Sequence, residues 1–267
     1  MRGAILLLAF CALFLGDAAA ASPRSVYLED LTWTEVRDGL KAGTTTIIIP
    51  VGGTEQNGPH MALGKHNARA KALAGQIATA LGDTIVAPVL AYVPEGNISP
   101  PTEHMRFPGT ISIPDSAFKA LLVGAARSFK QAGFAHIVLI GDSGNYQGLL
   151  KDVASQLNRD WAGSPTRAHF VEDYYRVTQS AYVQALRARG LSDAQIGTHA
   201  GVADTSLLMA IDPGMVRTDR LEGSKDSGTT GVLGDPSAST AALGQAGVDL
   251  IVAQTVAAIR KARSSSH

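Results

Sequence analysis

The chain has 267 residues, 45% of them hydrophobic and 17% charged, which suits one large domain with a sizeable core. Basic and acidic side chains balance at 23 each, and no basic stripe appears, which argues against nucleic acid as a partner.

The first element is not part of the fold. Residues 1–20 carry Arg2, an apolar run and the small residues Ala18–Ala20, the three-part pattern of a secretory signal peptide. Cleavage near Ala20 removes Cys11, the only cysteine, so neither a disulfide framework nor a cysteine nucleophile is expected. The mature chain is expected to be secreted or periplasmic, as a single domain over 21–267. No later segment reads as long and apolar enough for a bilayer span, so no membrane contact is expected after cleavage.

Short apolar runs then alternate with amphipathic stretches. Residues 44–53, 83–93 and 135–144 read as buried strands, and 166–173 as a weaker one. Between them, 67–81, 115–132 and 147–160 show helical spacing, with Asp115 as an N-cap candidate and Gly133 as a stop. The region 213–238 is rich in Gly, Ser, Asp and Thr and reads as a loop lining a site, before a final helix over 237–262. Strands alternating with helices imply an α/β fold with parallel pairing and helices on both faces.

Ligands of open α/β sheets bind beyond the carboxyl ends of the strands. There the sequence places two polar clusters, Thr54–His66 and "GDSGNYQ" from Gly141. "PPTEHMRFPGT" (100–110) and "GTHAGVADTS" (197–206) add Glu103, His104, His199 and Asp204. "GDSG" alone resembles the nucleophile segment of chymotrypsin-like proteases. That fold needs an all-β pattern and upstream His and Asp segments, which this chain lacks.

In combination, "PVGGTEQNGPH", "EHMRFPGTISI", "HIVLIGDSGNYQ", "THAGVADTS" and "GVLGDP" resemble the creatininase (creatinine amidohydrolase) family from about residue 30 to 260. The resemblance implies a three-layer α/β/α sandwich with a mostly parallel sheet, often hexameric. It also implies hydrolysis of unusual C–N amide bonds by water activated on two divalent ions, Zn or Mn, beside a catalytic His. A bridged cation pair polarises the carbonyl and lowers the pKa of bound water.

The ligand positions depart from the family pattern. Glu55 is retained, but the next ligand His is Asn57 and the bridging Asp is His66. In the glycine-rich loop, ungapped alignment sets Ser143 at the ligand His and Asn145 at the second carboxylate; a shift by one sets Asp142 at the His. Lys65 has no family equivalent and reads either as a cation replacing part of the metal charge or as a surface lysine.

The expected function is an exported amidohydrolase cleaving a C–N bond of a small amide or cyclic amide with a metal-activated water. With the ligands so altered, at most one divalent ion is expected, Zn or Mn, held by Glu55, His66 and Asp142, with no metal as the other outcome. His199 is the expected general acid or base, oriented by Asp204. His60, His104, Ser143 and Asn145 are expected to line the pocket and bind substrate. A homo-oligomer, hexameric by resemblance, is the expected assembly. The alternative is a metal-free binding protein that retains the fold.

Overall fold

The computed structural model describes residues 25–225 and 228–265. The expected signal peptide lies outside the described residues.

The order of elements follows the apolar patterning. Helix α1 (Trp33–Lys41) opens on a capping box between Thr32 and Glu35, a signal present in the sequence but on a short segment. Strand β1 (Thr46–Val51) is buried at every position. Helix α2 (Lys65–Leu81) returns to β2 (Thr84–Val86), and α3 (Asp115–Ala132) leads to β3 (His136–Gly141). Helix α4 (Gln147–Asp160) precedes β4 (Arg167–Phe170). The chain then becomes helical, through α5 (Asp173–Gln179), α6 (Ala181–Arg187), α7 (Asp193–Ile196), α8 (Val202–Ile211) and α9 (Ala241–Ser264).

The four strands pair in the order β2-β1-β3-β4, all parallel. From β1 the chain first adds β2 on one side, then crosses to add β3 on the other. The central strands β1 and β3 therefore flank the point where the winding direction reverses, where α/β sheets leave a crevice. Ile47 and Ile49 face Phe118, Leu122, Leu150 and Leu157 of α3 and α4. Ile48, Val138 and Ile140 face Leu73 and Ile77 of α2, Tyr174 of α5 and Ile251 of α9. This two-residue alternation produces the three layers expected from the sequence.

Several boundaries differ from expectation. The strand expected over 83–93 is only three residues long; Pro88, two residues beyond its end, offers no backbone N–H to a ladder. Pro114 holds the N-cap position, and Asp115 is the first helical residue, where its charge suits the helix dipole. Gly133, at φ 111°, ends that helix as expected.

The 213–238 region is a packed strap of short 3-10 turns. Its Val216, Leu221 and Val232 bury against Met61 and Leu208. By length and apolarity alone α9 could cross a bilayer, contrary to the sequence reading. Its apolar residues instead pack on α8, α5 and α2. Gly244 allows the closest approach: a Cβ there would lie 1.8 Å from the Ser206 carbonyl oxygen.

Candidate active site

The site forms where β1 and β3 end. Gly52 is essential to its frame, since a Cβ there would meet Asn67 Oδ1 at 2.2 Å and Asn67 Cα at 2.9 Å. The strand end can thus lie on the first turn of α2. Gly53 N–H donates to Asn67 Oδ1 at 2.9 Å, pinning the two together. Glu55, from the loop after β1, and Asp142, from the loop after β3, then face one another with His66 between them.

His66 donates from Nε2 to Glu55 Oε1 at 2.7 Å and from Nδ1 to Asp142 Oδ2 at 2.6 Å. With a carboxylate at each nitrogen, both carry protons and the ring is an imidazolium. Burial and Lys65 oppose that charge, but Glu55 and the two hydrogen bonds outweigh them and raise the His66 pKa. Burial likewise works against ionised Glu55, yet His66 and Lys65 hold it well below the usual carboxylate range.

Two more cations come from the same turn of α2. Lys65 is fully buried, with Nζ 3.3 Å from Asp204 Oδ2 and 3.7 Å from Glu55 Oε1. Arg69, four residues on and 1% exposed, reaches Asp142 Oδ2 from Nε at 3.2 Å and Asp204 Oδ1 from Nη1 at 2.6 Å. Tyr174 donates to the remaining Asp142 oxygen at 2.9 Å. Three cations on one helical turn therefore neutralise three carboxylates from separate segments. A fourth carboxyl, Glu95, is pushed up to about 8 by burial and by neighbouring Glu55. Burial and Glu55 thus keep it protonated at neutral pH, and its Oε1 and Glu55 Oε2 are buried without another hydrogen-bond partner.

Gln56 sets the protons of the two remaining histidines. Its Oε1 accepts from Gly58 N–H at 2.9 Å, and its Nε2 donates to Gly231 O at 2.9 Å, which fixes the amide orientation. The same Nε2 donates to His104 Nδ1 at 2.9 Å, leaving the His104 proton on Nε2, 3.4 Å from Glu55 Oε2. His199 Nε2–H donates to the Gln56 carbonyl at 3.0 Å, so the His199 Nδ1 lone pair is free, 3.8 Å from Glu55 Oε1. Burial and then Lys65 lower the His199 pKa to about 4, so the ring is neutral. Ala200, at φ 58°, holds the tight turn that aims His199 at this spot.

These groups open on a cavity of about 230 Å³ that His104, Ser143, Asn145, Tyr175, His199 and Asp204 help to line. Other expected roles fall differently. His60 is fully buried behind the wall, bonded through Nε2 to Thr205 Oγ1 at 2.9 Å. Asp204 accepts from Ala200 N–H, Lys65 and Arg69; Gln56 is what orients His199. Of the two loop alignments, Asp142 is the residue that enters the charged cluster, while Asn145 donates to Glu95 Oε2 at 2.9 Å. Lys65 is no surface lysine. Arg69 and Glu95 escaped the sequence reading; the i,i+4 spacing from Lys65 was the available signal for Arg69.

The donor set does not suit the two-ion centre implied by the resemblance. Both nitrogens of the expected ligand His66 carry protons, and its carboxylate partners are taken by Arg69 and Lys65. Asn57 turns its Nδ2 to the Glu55 and Ala62 carbonyls at 2.9 and 3.2 Å. Among the described residues, Glu55, His104 and His199 could hold one metal by proximity, their ligand atoms lying within 4.8 Å of one another. The Gln56 bond opposes that use, because it leaves the His104 Nε2 facing Glu55 with a proton rather than a lone pair.

Comparisons with known proteins agree with this frame. The chain is 32% identical over 221 residues to the mycofactocin precursor peptide peptidase of Mycolicibacterium smegmatis, covering 74% of this chain and 78% of the relative. It is 29% identical over 204 residues to a creatinine amidohydrolase of Pseudomonas putida, covering 74% and 76%. A solved structure described as "Creatininase Mn" shares the fold, with TM-score 0.75 at 23% identity over 89% of this chain and 98% of that one. With residues 29–259 matching the family model described as Creatinine amidohydrolase, the chain belongs to the creatininase family.

Proposed function

We propose that the chain is a hydrolase of small amides or cyclic amides in which His199 is the general base. The observation that carries this is the free Nδ1 lone pair of a neutral, buried His199, its tautomer fixed by the Gln56 carbonyl. A water or polarised amide in the cavity meets that lone pair. Lys65, Ser143 and Asn145 line the same cavity. His199 takes a proton from the attacking water and returns it to the departing nitrogen. Lys65 favours the negative charge that develops on the carbonyl oxygen. The small cavity supports a low-molecular-weight substrate.

The mechanism uses no metal, because the donors do not fit the family's two ions and the Gln56 bond to His104 opposes a single ion at Glu55, His104 and His199. Export is part of the proposal, supported by the Arg2, apolar-run and Ala18–Ala20 pattern. A second reading, a metal-free binding protein, is favoured by the pairing of Glu55, Asp142 and Asp204 with cations of the protein itself.

The test is a panel of small linear and cyclic amides assayed with wild type and His199→Ala. Loss of a general base lowers kcat by ~10²–10⁴-fold, with the melting temperature nearly unchanged. Turnover that survives the substitution sinks the role of His199. Saturable binding of panel members without turnover selects the binding protein.

A further inference from the structure

We infer that Lys65, Arg69 and His66 replace the family's metal ions, so that the site holds its carboxylates with protein cations and keeps no divalent ion. This goes beyond the hydrolase reading and does not depend on it.

Glu55, Asp142 and Asp204 converge at the switch point of the sheet, and three such charges need cations when buried. In this chain each carboxylate already has two cationic partners. Glu55 has His66 and Lys65, Asp142 has His66 and Arg69, and Asp204 has Lys65 and Arg69. The arrangement is a closed ring of three carboxylates and three cations. A divalent ion entering it would have to displace a cation whose side chain is at most 6% exposed.

The ring also explains why the substitutions occur together. Changing the bridging acid to His66 removes a negative ligand and adds a donor, and Asp142 at the loop position supplies the acceptor that the new donor needs. His66 without Asp142 would keep only Glu55, and Asp142 without His66 would keep only Arg69, so either change alone would leave the ring open. Lys65 and Arg69, one helical turn apart, complete the neutralisation from the same face of α2. Asn57 has correspondingly stopped facing the site and ties its own loop through the Glu55 and Ala62 carbonyls.

The experiment uses the full chain expressed with added Zn²⁺ and Mn²⁺, freed of loose metal and analysed for elemental content. The expected result is far less than one equivalent of either ion per chain, with no change in melting temperature on adding EDTA, Zn²⁺ or Mn²⁺. A parallel Lys65→Ala variant opens a cation position between Glu55 and Asp204. Its melting temperature is expected to fall by several degrees and to recover in part with Mn²⁺, whereas wild type stays indifferent.

One or two tightly held equivalents in wild type, or a fall of roughly 5 °C or more on chelation, overturns the inference; that shift corresponds to little more than the loss of one strong interaction. A Lys65→Ala variant that folds and ignores Mn²⁺ overturns the assignment to Lys65. Should that variant fail to fold, the wild-type metal content and chelation response still decide. Active protein with stoichiometric metal removes this inference alone. Metal-free protein without amide turnover removes only the hydrolase reading.

Discussion

The two ends of the sheet are built from the same residue types and behave differently. At the carboxyl end, Arg69 meets Asp142 and Asp204, and His66 lies between two carboxylates. At the amino end, Arg263 meets Asp83, and His169 lies against another histidine, His136, at 3.1 Å. Burial and partners separate them. Arg69 is 2% exposed at its side chain, whereas Arg263 and Asp83 are 22% and 33% exposed. His66 is charged because carboxylates hold it so, whereas burial and His136 push His169 down to about 4. A charged pair in water is an accessory; a charged ring out of water is a commitment.

The largest expected effect is at the buried end. Arg69→Ala leaves Asp142 and Asp204 without their guanidinium, and breaking one partner of a buried ion pair costs about 3–5 kcal/mol. Urea unfolding is expected to show that loss as an earlier midpoint at unchanged slope. A change within experimental scatter would mean that water enters the ring and that the two ends are alike.

A packing variant separates charge from geometry near the same site. Gly52→Ala drives a Cβ into Asn67, so α2 must shift away from the end of β1, at a cost of about 1–3 kcal/mol. Because α2 carries Lys65, His66 and Arg69, the variant is also expected to weaken ligand binding. Stability lost with binding intact would show that the ring tolerates movement of the helix.

How much of this was legible in the sequence depends on the kind of signal. The β-branched run at β1, the helical spacing of α2–α4 and the stop at Gly133 are local, and the structure follows them within a few residues. The strand expected over 83–93 is shorter because periodicity ignores the missing N–H of Pro88. The position of the site followed from polar clusters at strand ends. Its internal wiring did not, because pairing His66 with both Glu55 and Asp142 requires three segments distant in sequence to meet. Glu95 carries no motif at all, and its role beside Glu55 exists only in the folded chain. The choice between Ser143 and Asp142 turned on one residue of register, which only the fold decides.

The amino end offers a pH test. His169, lowered to about 4 by burial, His136, Arg263 and Arg167, is neutral in the folded chain and titrates near 6.5 when unfolded. Between those values the unfolded chain binds more protons, so stability present above pH 6.5 is lost as the pH falls toward 4. Its share at pH 5 is on the order of 1–2 kcal/mol. Melting curves of wild type and His169→Phe at pH 7 and pH 5 are expected to show a smaller acid loss in the variant. Equal losses would place the acid sensitivity elsewhere.

The smallest effect is expected where the pair looks best by geometry. Arg263 donates to both oxygens of Asp83, one of them at 2.9 Å, and the contact ties the last turn of α9 to the start of β2. Asp83 has its pKa lowered, since burial acts against the charge but the Arg263 bonds outweigh it. Partial exposure screens the pair, and both side chains lose rotamer freedom in forming it. Arg263→Ala is therefore expected to cost under about 1 kcal/mol at low salt and less as salt rises. The Arg69→Ala loss should respond little to salt, because its partners are shielded from ions. Measuring both variants at low and high ionic strength thus tests the comparison directly. A salt-insensitive loss at Arg263 as large as that at Arg69 would show that bidentate geometry, rather than burial, sets what an arginine pair contributes here.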